Sequence, residues 1–371
     1  MKKNNFLFII VLLFCVSISS QEIFKKITTT NLQDKITEQP KKFEQFELNT
    51  NKLLAELVKT PFREFKKRSN TIISLPNGLG GFEDFEIFEA PILSIQLSKK
   101  YPTIKSYVGR STKSSSTVRF SYSPSQGFNA AISNNKSATI LIKPSNLNTE
   151  RYVSFSREDI IEESNFDCKT IAEIKKSVHN SPRKTNDGFL RKYRLAVATT
   201  AEYSSFFLYG TEVNDVERKT KVLAAINTSL TRINGIFERD FAITMELIAN
   251  NDLTIFLDPS TDPFNGNFNS ELQNTLDSTI GDANYDVGHL FGYEGSIYGS
   301  AGCIACVCTT GSKGSGFTMH SAPDSDHFNM IASHEFGHQF GGYHVQSSSN
   351  CRSAVGLQEV EPGSGSSIMG Y

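Results

Sequence analysis

The segment His334-Glu335-Phe336-Gly337-His338-Gln339-Phe340-Gly341-Gly342-Tyr343-His344 constrains this chain more than any other. In an α-helix, residues four apart lie one turn apart on one face, so His334 and His338 present two imidazoles to one point. Glu335 stands about 100° round the same helix. It is beside that point and not on it, where a carboxylate can take a proton from a water attacking next to a metal ion. A helix continuing past Gly341 would carry His344 away from the other two histidines. Glycine tolerates the left-handed backbone that ends a helix, so the chain is expected to turn at Gly341 and bring His344 back as a third ligand. Three neutral imidazoles leave one coordination position open, as a catalytic zinc needs, whereas structural zinc sites are closed by four protein ligands, usually including Cys. Asp324 and Asp326 place acids before the first turn, and Phe336 and Phe340 share another face suited to a core.

The rest of the chain is an ordinary globular sequence of 371 residues with room for about two domains. With 38 Lys+Arg against 39 Asp+Glu, the net charge of -1 offers no basic footprint for a polyanionic partner, so no nucleic acid is expected. The near-zero sum hides a division. Residues 21–190 hold 26 basic and 19 acidic residues (+7), and residues 191–371 hold 10 and 20 (-10). Two pieces of opposite sign are either solvated independently or dock on each other.

The one long apolar run, Phe6 to Val16, follows Lys2 and Lys3 and precedes Ser17 to Gln21. It is too short to span a bilayer and has the layout of a secretory signal ending near Ser20, so export and no stable membrane insertion are expected. Disulfides are then permitted. Glu22 to Lys67 is charged and partly helical in pattern, with Leu53, Leu54 and Leu57 at helical spacing. From Thr71 to Phe155 short β-type runs, such as Phe85 to Phe88, Ile92 to Leu97, Thr117 to Tyr122 and Ala138 to Ile142, alternate with Gly, Pro, Asn and Ser clusters. The stretch Ser177 to Lys192, with Pro182 and the dibasic pairs Arg183-Lys184 and Arg191-Lys192, reads as a protease-sensitive linker. Beyond it Tyr193, Leu195 and Val197 alternate as a strand. Leu223, Ile226, Leu230, Ile233 and Phe237 then mark an amphipathic helix. Strand character near Phe241 to Ile248, a shorter helix from about Ser270 and a strand at Tyr285 to Phe291 complete an α/β pattern with a mostly parallel sheet.

The eleven-residue motif resembles the metzincin signature, and Ser367-Ile368-Met369-Gly370-Tyr371 resembles the Met-turn of that clan. The surrounding text, from Glu361 to Tyr371, is similar to reprolysin-like (adamalysin-type) bacterial secreted zinc proteases, and the resemblance covers the chain from Arg194 onward. It implies a zinc endopeptidase acting on protein or peptide substrates, with His334, His338 and His344 as ligands of one Zn2+, Glu335 as general base and acid, and Met369 as hydrophobic floor. Tyr371, two residues past the methionine, is either a switchable fifth ligand that stabilises the oxyanion or a core tyrosine. Two departures stand out. Val345 follows His344 where the adamalysin-type pattern has Asp, and the chain ends at Tyr371 where metzincins continue into an S1′ wall and a final helix, so the domain is expected to be incomplete. Nothing in the residues speaks for or against Ca2+.

On this reading residues 1–20 are a signal peptide, 21–185 a β-rich prodomain acting as intramolecular inhibitor, and 186–371 the catalytic domain. Gly299 to Cys308 resembles the edge strand and following cysteine of reprolysin-like domains. Such an edge binds an extended peptide by main-chain pairing. Cys303, Cys306, Cys308 and Cys351 suffice for two disulfides of undetermined connectivity, or form a second metal site. Cys168 stands alone in the expected prodomain. It is either a thiolate that fills the fourth zinc position and keeps the enzyme latent, with Asp167 as a carboxylate alternative, or a cysteine that is buried or orphaned by truncation. His289, His320 and His327 are expected to be structural or surface residues and not ligands. A rival function is a secreted binding or adhesion module that retains a vestigial zinc site.

Overall fold

The computed structural model describes residues 22–27, 38, 40–64, 67–134, 137–145, 150–161, 166–170, 187–345 and 367–370. The expected signal peptide, Arg183-Lys184, Cys351 and Tyr371 lie outside the described residues.

Nine strands form an antiparallel sheet: β1 (Phe24–Ile27), β2 (Glu44–Leu48), β3 (Ile72–Pro76), β4 (Phe82–Glu89), β5 (Lys105–Ser111), β6 (Thr117–Ser123), β7 (Gly127–Ser133), β8 (Ile140–Pro144) and β9 (Arg151–Ser156). Their order is β1-β2-β9-β8-β7-β6-β5-β4-β3. Side chains alternate between the faces of a strand, and β6 shows what the alternation achieves. Val118 and Phe120 join Phe46, Ile73, Phe85 and Phe128 in an apolar core that α1 (Thr50–Leu57) closes with Leu53 and Leu57. Arg119 and Ser121 point to the opposite face, where the C-terminal unit docks.

That unit is built on a six-stranded sheet of β10 (Asp167–Cys168), β11 (Arg191–Thr199), β12 (Ile243–Leu247), β13 (Val287–Tyr293), β14 (Tyr298–Ser300) and β15 (Gly316–His320), in the order β10-β14-β15-β13-β11-β12. The strands β12, β11, β13 and β15 run parallel, β14 is antiparallel to β15, and β10 pairs parallel with β14. The helices are α2 (Ile95–Lys100), α3 (Ala201–Phe206), α4 (Asp215–Phe241), α5 (Phe268–Thr279) and α6 (Asp326–Gln339). No helix among the described residues is long and apolar enough to cross a membrane.

The 27-residue α4 lies between the two sheets, and its two faces differ in chemistry. Leu223, Ile226, Leu230, Ile233 and Phe237 pack into a core with Leu195, Val197, Phe291, Phe328 and Phe336. Toward the nine-stranded sheet it presents Asn227, Thr228 and Thr231, which meet Ser106 and Ser121 through hydrogen bonds of 2.8–3.1 Å. The N-terminal unit also covers both edges of the smaller sheet. The backbone of Ile92 and Ser94 bonds Leu247 in β12 at 2.7 and 3.0 Å, and β10 covers β14.

Two expectations are corrected. The run Ile92 to Leu97 is not one strand: Ser94 caps a helix there, its Oγ accepting from the Leu97 amide, so only its first residues stay extended. Arg191-Lys192 is no loop either; it opens β11, registered against Ile243 and Thr244.

The charge division reappears as ion pairs across the seam. Arg63 and Arg119 bind Glu238, Arg157 binds Asp326 and Lys100 binds Asp252. Arg119 is only 6% exposed, and Gly235 leaves it room, because a Cβ there would stand 3.2 Å from its Cγ. Burial works against both ions of the Arg119–Glu238 pair. In Glu238 the two arginines outweigh it and hold the carboxyl below its ordinary value, while for Arg119 burial prevails and lowers the guanidinium from its own. An arginine stays protonated in proteins, so the pair is ionic. A carboxylate with a depressed pKa stabilises the docked form above the ordinary carboxylate range, and that contribution is lost as pH falls through the depressed value. Glu238→Gln is expected to cost about 3 kcal/mol, since it leaves a buried cation unpaired. It should also flatten the loss of docking on acidification, read by urea and acid titration of the parent and variant. Identical titration curves would contradict this.

Candidate metal centre

The helix α6 starts at Ser325, whose Oγ accepts from the Phe328 amide at 3.0 Å. Every residue from 331 to 339 is buried, so the polar groups of His334, Glu335, His338 and Gln339 must be satisfied inside the protein. The helix ends as its glycines dictate. Gly341 has φ +102°, its amide bonds the His338 carbonyl at 2.9 Å, and the Gly342 amide bonds the Gly337 carbonyl at 2.7 Å. This pair of bonds around a left-handed residue is the Schellman ending, and it turns the chain back toward the helix.

His344 thereby arrives beside the other two histidines. Its Nε2 lies 3.2 Å from His334 Nε2 and 3.0 Å from His338 Nε2, and the last two are 3.0 Å apart. His334 Nδ1 donates to the Ile368 carbonyl and His338 Nδ1 to the Gly342 carbonyl, each at 2.7 Å. A carbonyl only accepts, so these bonds place the proton on Nδ1 and aim the Nε2 lone pairs at one another. Burial pushes His334 down to about 4 and His338 to about 3, aided by the neighbouring imidazoles, and burial also lowers His344. All three are held in the neutral, ligating form.

The turn at 367–370 supports this cluster from below. Besides supplying the Ile368 carbonyl, it places Met369, 7% exposed, so close to Gly337 that a Cβ there would be 2.5 Å from Met369 Sδ. Glu335 is fully buried, and burial raises its pKa to about 8. Its Oε2 accepts from Thr170 Oγ1 at 2.9 Å, and its Oε1 has no hydrogen-bond partner among the described residues.

The segment 166–170 runs along the edge strand with alternate side chains facing inward. The rings of Phe166 and His334 meet edge to face with centroids 5.2 Å apart, and Cys168 Sγ lies 3.6 Å from His338 Nε2. Thr170 reaches Glu335. Asp167 points away and pairs with Lys169. Cys168, His334, His338 and His344 offer four ligand atoms within 4.8 Å of one another. Burial, with the Glu335 carboxylate, pushes the Cys168 thiol well above its ordinary value; a cation at this point reverses that preference.

The donors fit a tetrahedral N/S ion. Bonds of the usual Zn–N length put ligand nitrogens about 3.3 Å apart, close to the spacings seen. The orphaned Glu335 Oε1 beside them wants a proton donor such as water.

The remaining cysteines and histidines serve other ends. Cys303 and Cys306 form a disulfide and Cys308 is an exposed thiol. Among the described residues no second cysteine-rich metal cluster forms. The loop carrying the disulfide caps α6, with the Ala305 and Cys306 amides bonding the His338 and Gln339 carbonyls at 3.0 and 3.1 Å. His289 is buried between Gln339 and Thr318, and His320 bonds His327. Phe166, Thr170 and Gly299 are site residues that the motif did not reveal. The alternation of Phe166, Cys168 and Thr170 was the available signal for two of them.

A buried helix presenting two imidazoles and a carboxylate, a third imidazole folded back at a glycine turn, and a methionine beneath them define a metallopeptidase-type centre on an α/β domain. Residues 190–371 match the family described as Metallo-peptidase family M12B Reprolysin-like, and this part of the chain belongs to that family of metzincins. No curated protein matches the sequence.

Gly299 in β14 shows how tightly the carboxylate is set. A Cβ there would stand 2.7 Å from Glu335 Cγ and 2.8 Å from Oε1. Gly299→Ala should displace the carboxylate and lower peptide hydrolysis at least tenfold at unchanged metal content, measured by metal analysis beside a peptide assay. Full activity in the variant would contradict the contact.

Proposed function

We propose that the chain is the zymogen of a secreted zinc endopeptidase. The observation that carries this reading is the convergence of three imidazole Nε2 atoms beside a buried carboxylate with one unpartnered oxygen, in a segment belonging to a metallopeptidase family. His334, His338 and His344 would hold the ion. When bound, zinc supplies Lewis acidity that polarises the scissile carbonyl and eases deprotonation of water.

The chain's own groups do the rest. Glu335 takes the proton of the attacking water on its free Oε1 and passes it to the leaving amine. Its raised proton affinity, which a nearby cation lowers again, suits a group that must both accept and give a proton. An extended protein or peptide substrate adds to the edge of β14 by main-chain pairing. In the full chain β10 holds that edge, with the Asp167 and Lys169 amides bonding the Ile297 and Gly299 carbonyls at 3.2 and 2.7 Å. Substrate and β10 therefore compete for one edge.

Latency follows. The N-terminal unit acts as a prodomain whose Cys168 Sγ supplies a fourth ligand. Its seam with α4 carries hydroxyls, amides and ion pairs, beside an apolar contact in which Ile92, Leu93, Leu97, Tyr101 and Ile104 join the core of the catalytic unit. The apolar run Phe6–Val16 supports export. A vestigial binding module has no observation in its favour.

Glu335→Ala in the processed enzyme should keep about one zinc per chain and lower casein cleavage by about 10²–10⁴-fold, the usual contribution of a general acid–base group. Cleavage at the parent rate by the purified, zinc-loaded variant would refute the assignment.

A further inference from the structure

We propose that Thr170 is a second lock on the active site, acting on the base and not on the metal ligands. The inference rests on the reading above, that Glu335 is the base and that segment 166–170 keeps the chain latent. A hydroxyl has one proton to give and lone pairs to accept, and Thr170 uses both capacities here. Its Oγ1 donates to Glu335 Oε2 at 2.9 Å and accepts from the Ala301 amide at 2.7 Å, just past the end of β14. One side chain thus ties the base to the substrate-binding edge.

The contact is held from both sides. The Lys169 amide bonds the Gly299 carbonyl at 2.7 Å, so the chain entering Thr170 is registered on β14, and the Ala301 amide fixes the hydroxyl beyond it. Glu335 is fully buried, so no bulk solvent replaces the threonine while the strand is in place. A water approaching that oxygen must make the same donation that Thr170 already makes. The hydroxyl therefore pins the carboxylate by one oxygen to the β14 edge, so that Glu335 is not free to turn toward a water at the ligand cluster, where Cys168 lies against His338.

The two contacts have different main partners. The thiol lies against a ligand nitrogen, whereas the threonine binds the carboxylate and a backbone amide. Loss of Cys168 should then leave the chain partly latent. A hydrogen bond to a charged group shifts an equilibrium roughly 10- to 100-fold, which sets the size of the residual restraint.

The test uses the full chain loaded with zinc, as parent, Cys168→Ala, Thr170→Val, the double variant, and Cys168→Ala combined with Thr170→Ser. Each is assayed on a fluorogenic peptide before processing, with gels to verify an uncut chain, and again after processing. Expected are equal rates for all processed forms, and an uncut double variant at least tenfold faster than uncut Cys168→Ala. Thr170→Ser, which keeps the hydroxyl, should restore the slow rate; a merely packed residue would not discriminate serine from valine in this way. If the processed forms are active but the uncut double variant is no faster than Cys168→Ala, this inference alone is overturned. If every processed, zinc-loaded form is inactive, the peptidase reading fails and takes the inference with it.

Discussion

Three imidazole nitrogens with their lone pairs facing one another, 3.0–3.2 Å apart, repel unless a positive charge lies among them. Burial disfavours protons there, so the arrangement is stable only because other bonds enforce it. The Ile368 and Gly342 carbonyls hold two rings by their far nitrogens, and the Schellman ending at Gly341 delivers the third. The restraints come from two parts of the chain: the turn just beyond α6 and the methionine turn at 367–370. The fold spends its buried polar groups on preorganising one point in space, which is how a metal site gains affinity and geometry together.

Around this point two units meet across α4. The seam between α4 and the nine-stranded sheet carries hydroxyls, amides and ion pairs, while Ile92, Leu97 and Ile104 of the N-terminal unit join the apolar core of the other. The small parallel sheet would have two open edges if it stood alone, and open edges invite pairing with other chains. The N-terminal unit covers both, at β12 with Ile92 to Ser94 and at β14 with β10. Covering β14 also fills the cleft. One contact therefore protects the nascent domain and, on the proposed function, silences it.

Much of the centre was legible in the sequence because it is local. The helix, its two histidines and the carboxylate are encoded by spacing within α6, and the return of His344 by one glycine. The amphipathic α4 was legible for the same reason, from Leu223 to Phe237. What escaped was non-local. A two-residue strand such as β10 has no periodicity to read, and its partner β14 lies some 130 residues away. Thr170 matters because of that pairing, and Gly299 because β14 runs close over Glu335. Ile92 to Leu97 carries strand-like residues, but a serine cap decides its second half. Arg191-Lys192 looked like a solvated dibasic site, yet its backbone is the start of β11. The pairing of Cys303 with Cys306 follows from a tight loop at Ala305, whose φ is positive, and no cysteine count predicts that.

The central claim is that the full chain holds one zinc by three imidazoles and the Cys168 thiolate, and that release of the N-terminal unit removes the sulfur. X-ray absorption at the zinc edge reads this directly, because Zn–S and Zn–N distances differ by about 0.2–0.3 Å. The account predicts a first shell of three nitrogens and one sulfur in the uncut chain, and of nitrogen and oxygen alone after processing. A sulfur-free shell in the uncut chain, or a sulfur that persists after processing, would contradict it.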